Sequence, residues 1–203
     1  LRRAMAIRGF VVVSINYRMV TDGSMLPAYW DLLSVKPALI ATEDCRAAVR
    51  YVRRMAAAWR IDPGRVIVGG QSAGALSANF YGFTKGYTDG QSGNPGFDSS
   101  INAVLSVSGS MRDLAFCASV LGPPSYEPLL CVISSPPGRD LTHELSAGDI
   151  PVVDLHGTAD KTIPYKAGKE LCDRAAAVGV RSALLTIPGA GHVPMGNILD
   201  NRE

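Results

Sequence analysis

Residues 66–76 read VIVGGQSAGAL, and this stretch decides the fold class. The β-branched run Val66-Ile67-Val68 leads through Gly70-Gln71-Ser72-Ala73-Gly74 into a helical pattern. A strand, a sharp turn and a helix form the context in which a G-x-S-x-G motif presents a nucleophilic serine. The motif alone is weak evidence, because a chain with 21 glycines can match it by chance as a Gly-Ser turn without chemistry. Its context nevertheless indicates a nucleophile at Ser72.

Outward from this motif, strand patterns alternate with helix patterns, which is typical of an α/β fold. We expect a mostly parallel sheet with helices on both faces. A first strand is predicted at residues 10–16, an apolar run of the kind that is buried on both faces. The other predicted elements are strands at 65–69, 101–108, 151–155 and 183–187, and helices at 42–59, from the motif to about 81, and at 164–178. Residues 18–40 and 84–99 are predicted loops, and 109–149 is a predicted lid-like insertion.

Length and composition indicate one globular domain over residues 1–203, because 47% of the residues are hydrophobic and 19% are charged. The net charge of +2 does not favour a nucleic acid or an anionic membrane as partner. We find no apolar run long enough to span a bilayer. The opening residues read as the last turns of a helix that ends at Gly9. Oligomeric state and localisation are left open.

Four cysteines are present, and none shows the spacing of zinc ligands. Cys45 and Cys172 lie in helical patterns and are interpreted as buried thiols. Cys117 and Cys131 flank a Gly-Pro-Pro turn, where they can form a disulfide if the protein is secreted. On the helix at 42–59, the arginines away from the apolar stripe are interpreted as a solvated face: Arg46, Arg50, Arg53 and Arg54.

A general base and its acid are expected downstream of the serine, in the chain order nucleophile, acid, base. His192 follows the last predicted strand in a glycine-rich loop, well downstream of Ser72, and so fits that order. Asp160 lies between a strand end and a helix start, where a carboxylate can orient an imidazole; the alternative is a capping aspartate. His156 is interpreted as hydrogen bonding at a strand end. Asp154, inside the strand, is the weaker candidate for the acid.

The segments carrying these residues resemble the α/β-hydrolase superfamily, specifically carboxylesterases and lipases of the hormone-sensitive-lipase and feruloyl-esterase groups. The matching pieces are GFVVVSINYRM (9–19), EDCRAAVRYV (43–52), IDPGRVIVGGQSAGA (61–75), VVDLHGTADKTIPY (152–165) and TIPGAGH (186–192). The resemblance implies that Ser72 is the nucleophile, Asp160 the acid and His192 the base. It further implies acyl transfer on a small carboxylic ester, with no metal or organic cofactor.

One departure from the family pattern concerns the oxyanion hole. The family supplies backbone donors from an HGGG-type loop, and this sequence contains no such motif. Only the Ala73 N–H remains as a donor by match. The family also places a strand between those matching 10–16 and 65–69. We therefore expect this chain to be the C-terminal part of a longer protein, poorly active and prone to aggregate by itself.

Two other functions remain open from the sequence. A peptidase of the prolyl-oligopeptidase type shares the same core and triad, and a non-catalytic hydrolase-like binding module is the alternative from another class. The ester substrate is not specified by the sequence. Apolar residues of the expected lid either line the pocket or pack the lid onto the core: Leu114, Phe116, Leu121, Leu129 and Leu130.

Overall fold

The computed structural model describes residues 2–18, 36–85, 93–111 and 142–194, and its centre is a sheet of four parallel strands. The strands are β1 (Ile67–Gln71), β2 (Ala103–Val107), β3 (Val152–Gly157) and β4 (Ser182–Ile187). They lie side by side in chain order, and all three neighbouring pairs are parallel. The predicted parallel sheet is confirmed.

Five helices accompany these strands in the described residues: α1 (Arg2–Ala6), α2 (Lys36–Arg54), α3 (Ala56–Trp59), α4 (Ala73–Phe83) and α5 (Tyr165–Ala177), with a 3-10 turn at Thr142–Glu144. Helix α2 begins within the predicted loop at 18–40. Pro37 is its second residue, where a helix leaves the backbone N–H without an acceptor, so proline is tolerated there. Gly9 follows α1 with φ +85, as expected for a residue just past a helix end.

Helices α4 and α5 pack on the same face of the sheet, α4 on β1 and β2, and α5 on β3 and β4. The core lies between them and the strands. Its large buried side chains come from every layer: Phe83, Val104, Met111, Leu145, Val152 and Leu171. On the opposite face, Ile67 and Leu185 are 50% and 49% exposed. The second layer of helices that we expect is therefore not completed by the described residues.

Residues 10–16 form no strand, so the prediction of a first strand there is wrong. The segment is irregular, and its apolar side chains are largely exposed, with Val11 at 55%. A strand needs a neighbour to satisfy its backbone N–H and C=O groups. Within the described residues no strand lies beside this segment, and β1 is at the edge of the sheet. High β-propensity alone did not produce a strand.

Two of the four arginines of α2, Arg50 and Arg53, are bound to neighbouring loops, which corrects their interpretation as part of a solvated face. Arg54 is exposed, as predicted, and Arg46 lies over the ring of Tyr81. Arg50 is buried and donates through Nε to the Gly93 carbonyl oxygen at 3.0 Å. Arg53 donates to the carbonyl oxygens of Pro63 and Asp98, at 3.1 and 2.7 Å. Guanidinium groups carry several donors in a planar fork, so one arginine side chain can bind more than one loop carbonyl oxygen.

Several sequence predictions fall outside the described residues. The expected lid lies mostly in residues 112–141, and Cys117 and Cys131 belong to it. Cys45 and Cys172 are free thiols; Cys172 is buried, as predicted, whereas Cys45 is only half-buried. No helix among the described residues is long and apolar enough to cross a membrane.

Candidate active site

Ser72 occupies the turn between β1 and α4 in a backbone conformation that non-glycine residues rarely adopt, with φ 51 and ψ −120. Its N–H donates to the Val107 carbonyl oxygen at 2.9 Å, which fixes the turn to the end of β2. A side chain at Gly70 would collide with the Gly74 backbone, since its Cβ would lie 2.3 Å from the carbonyl carbon. Strained backbone of this kind costs about 1–3 kcal/mol and is typical of functional sites.

Asp160 lies in the loop between β3 and α5 and is buried. Its Oδ1 accepts hydrogen bonds from the N–H groups of Thr162 (2.8 Å) and Ile163 (3.0 Å). Its Oδ2 lies 2.8 Å from His192 Nδ1. Burial by itself raises the pKa of Asp160, but hydrogen bonds from His156, His192 and the Thr162 N–H outweigh it and hold the pKa well below its usual range. The carboxyl is therefore ionised at neutral pH.

His192 follows β4, yet its loop crosses the sheet back to β2. The Ala190 carbonyl oxygen accepts from the Ala159 N–H at 2.9 Å, and the Val193 N–H donates to Ser108 Oγ at 3.0 Å. A side chain at Gly157 would block this crossing, because its Cβ would lie 2.2 Å from the Ala190 oxygen. The loop therefore reaches the end of β2, where the Ser72 turn is also anchored.

The structure brings Asp160 and His192 into direct contact and places Ser72 at the same edge of the sheet. Because Asp160 is ionised, it can only accept, and His192 Nδ1 must carry the proton that is shared between them. His192 Nε2 is buried and has no hydrogen-bond partner within the part of the chain that the structure describes. In a neutral ring this nitrogen is the free acceptor, which is the state that a general base requires.

His156 hydrogen bonds at the end of β3, as interpreted from the sequence, and it also lies beside Asp160. It is fully buried, with Nδ1 2.8 Å from Asp154 Oδ2 and Nε2 2.9 Å from the Ile163 carbonyl oxygen. Burial lowers its pKa, but hydrogen bonds to Asp154 and Asp160 outweigh it and raise the pKa to about 10. Asp154 thus pairs with His156. The i, i+2 spacing on one strand was the sequence signal for this pair.

The remaining predicted site features have separate outcomes. Ala73 is the first residue of α4, whose first N–H groups lack intrahelical acceptors, so its N–H can donate to a ligand oxygen. The expected lid residues 114–130 lie outside the described part. No group of three or more His, Cys, Asp or Glu side chains able to hold a metal ion occurs among the described residues.

Comparisons with known proteins bear on the family and the fold of the chain. The family model BD-FAE matches residues 1–174. No curated protein matches the chain. Among solved structures, the chain is similar to a truncated form of a carbohydrate esterase from gut microbiota, with 24% identity and a TM-score of 0.67. That match covers 89% of this chain and 66% of the other protein.

A second similar structure is a thermophilic esterase from the planctomycete Thermogutta terrifontis, with 23% identity and a TM-score of 0.61 over 91% of this chain and 65% of that one. Thermogutta terrifontis esterase 2 phosphorylated by paraoxon is 21% identical, with a TM-score of 0.64 over 98% and 70% of the two chains. The chain thus spans about two thirds of the length of these proteins. The structural likeness confirms the α/β-hydrolase fold, and the family model confirms the resemblance to esterases of the feruloyl-esterase group.

Proposed function

The chain belongs to the BD-FAE family, and from this we propose that it is a serine hydrolase of carboxylic esters with Ser72, Asp160 and His192 as its catalytic triad. The observation that carries the proposal is the 2.8 Å contact between Asp160 Oδ2 and His192 Nδ1, which leaves Nε2 as the free acceptor. All three residues lie at one edge of the sheet, which supports a single catalytic domain over residues 1–203.

The first half of the reaction forms an acyl-enzyme. His192 Nε2 accepts the hydroxyl proton of Ser72 while the serine oxygen attacks the ester carbonyl carbon. Asp160 holds the ring in the correct tautomer and stabilises the imidazolium that forms. The proton then passes from Nε2 to the departing alcohol oxygen as the bond between carbon and that oxygen breaks.

Negative charge on the tetrahedral intermediate requires donors next to Ser72. The Ala73 N–H supplies one, at the N-terminus of α4, where the helix favours negative charge. By resemblance the second donor belongs to an HGGG-type loop, a motif that the sequence does not contain. Loss of one oxyanion donor costs about 10²–10³ in kcat, so the rate depends strongly on a second donor.

In the second half of the reaction water is the nucleophile and the Ser72 oxygen is the leaving group. His192 Nε2 takes a proton from water, the resulting hydroxide equivalent attacks the acyl carbon, and the proton returns to the Ser72 oxygen as the acid leaves. The similar structures include a carbohydrate esterase and an esterase that is phosphorylated by paraoxon, and they support a small carboxylic ester as the substrate.

Labelling with a fluorophosphonate probe tests the nucleophile in the full-length protein. Ser72→Ala should abolish labelling and the hydrolysis of p-nitrophenyl acetate. Ser77→Ala is the matched control: Ser77 is buried one turn further along α4 and donates to the Ala73 carbonyl oxygen. Persistent labelling of Ser72→Ala would contradict the assignment. A folded wild-type protein that resists the probe would favour the non-catalytic binding module instead.

A further inference from the structure

A second carboxylate–imidazole pair lies directly behind the proposed triad acid. Asp154 and His156 are two residues apart on β3, so both side chains point to the same face, and both are fully buried. His156 Nε2 lies 3.4 Å from Asp160 Oδ2, the same oxygen that His192 Nδ1 contacts. The four side chains form a continuous row in which carboxylate and imidazole alternate.

The partners of His156 determine its protonation state. Nε2 lies 2.9 Å from the Ile163 carbonyl oxygen, which can only accept, so this nitrogen must carry a hydrogen. Nδ1 lies 2.8 Å from the Asp154 carboxylate, and the Asp160 carboxylate adds negative charge near Nε2. A ring with acceptors at both nitrogens and two carboxylates nearby is satisfied as an imidazolium.

Helix α5 encloses this pair closely. A Cβ at Gly168 would lie 2.2 Å from Asp154 Oδ2 and 2.5 Å from His156 Nδ1. Helix α5 can therefore approach this closely only because residue 168 has no side chain. The other titratable neighbours on α5 are Tyr165, edge-on to the His156 ring at 6.0 Å, and Cys172, whose pKa burial raises to about 12. The residues aligned with the pair on β2 and β4 are uncharged: Ser106, Leu184 and Thr186.

We propose that His156 is a positioning residue, a buried imidazolium that holds Asp160 in place and limits how strongly this carboxylate attracts a proton to His192. The inference rests on the proposed function, since it takes Asp160 as the triad acid. Backbone N–H groups hold Asp160 Oδ1, and the two imidazoles share Oδ2, so the carboxylate has one orientation.

The row of charges predicts opposite effects for two substitutions. His156→Gln removes a positive charge next to Asp160, so the carboxylate holds a proton on the general base more strongly. The acid limb of the kcat/KM profile should then move to higher pH by about 0.5–1 unit. Asp154→Asn removes a negative charge behind the cation, so the acid limb should move to lower pH.

The wild-type protein offers a test that does not depend on activity. The chain has only three histidines, so ¹⁵N-labelled histidine gives a simple nuclear magnetic resonance spectrum. One histidine should keep protons on both ring nitrogens from about pH 6 to about pH 9, unlike a free imidazole. That signal should be absent in His156→Gln. If every histidine loses a ring proton below about pH 8, the imidazolium assignment is overturned.

The pH profile of p-nitrophenyl acetate hydrolysis then tests the positioning role. A merely structural role for His156 would lower kcat or stability without moving the acid limb. An acid limb that stays in place in either variant, or limbs that move in the same direction in both, would refute the proposal. If His156→Gln does not fold, the wild-type spectrum and the Asp154→Asn profile still decide. Failure of the wild-type protein to react with a fluorophosphonate would instead count against the proposed function, leaving the spectrum to report on the cation.

Discussion

Replacing Gly70 with alanine is expected to displace the turn between β1 and α4 that carries Ser72. The new Cβ would lie 2.3 Å from the carbonyl carbon of Gly74, 2.4 Å from its oxygen and 2.8 Å from the nitrogen of Ala75. All three are backbone atoms, which cannot rotate away as a side chain does. Ordinary contact begins near 3.4 Å, so the end of β1 and the start of α4 must separate by about 1 Å to restore van der Waals distances.

A displacement of that size should be visible in both rate and stability. Misplacing a catalytic group by about 1 Å costs on the order of 10²-fold in rate, and overpacking costs about 1–3 kcal/mol of the unfolding free energy. At roughly 2–4 °C per kcal/mol for a chain of this size, the Tm should fall by about 2–12 °C.

The matched control is Gly74→Ala in the same motif, because a Cβ at Gly74 meets nothing within 4 Å. Alanine in place of a helical glycine should even stabilise by up to about 1 kcal/mol. Initial rates with p-nitrophenyl acetate and thermal unfolding compare the two variants. If Gly70→Ala keeps its rate within about threefold of wild type, or Gly74→Ala loses as much, the steric reasoning fails.

Two further predictions concern Asp160, the proposed triad acid, and its neighbour His156. Asp160→Asn should lower kcat by about 10⁴-fold, because an amide can present its NH₂ to His192 Nδ1 and stabilise the wrong tautomer; near-normal turnover would refute the acid's role. For His156, the folded pKa of about 10 exceeds the ordinary 6.5, so its contribution to stability is full below about pH 6.5 and is lost as pH rises towards 10. Urea unfolding at about pH 6.5 and 9 should show a decrease of up to about 3 kcal/mol, and a variant without the imidazole should lack that slope.

Much of the fold is readable from the sequence because local pattern and tertiary context agree. The β-branched runs at β1, β2 and β3 become strands within about two residues of their predicted bounds. Residues 10–16 have the same local preference and form no strand. The difference lies in pairing, since a strand is stable through its neighbour, and the pattern of residues 10–16 says nothing of whether that neighbour is present.

The candidate site likewise contains residues that a local pattern predicts and residues that depend on tertiary contacts. Ser72 sits in a motif whose chemistry is local, so spacing alone suggests it. Asp160 and His192 follow from chain order, and the structure joins them although they are 32 residues apart. The positioning role that we propose for His156 is not predicted by the sequence, because it depends on a contact across a turn to Asp160 and on the close approach of α5 at Gly168. Neither feature can be predicted from the sequence of β3, the strand that carries His156.

The buried pair Asp154 and His156 is better explained by the positioning that we propose for Asp160 than by a gain in folding stability. Buried ion pairs often contribute no more stability than apolar residues of similar volume, because desolvation offsets their attraction. An isolated buried carboxylate would protonate, and a free one would rotate. In this site backbone N–H groups hold one oxygen of Asp160 and two imidazoles hold the other, so both its charge and its orientation are set before substrate binds. A preorganised charge needs no rearrangement in the transition state, which is where such a group increases the rate.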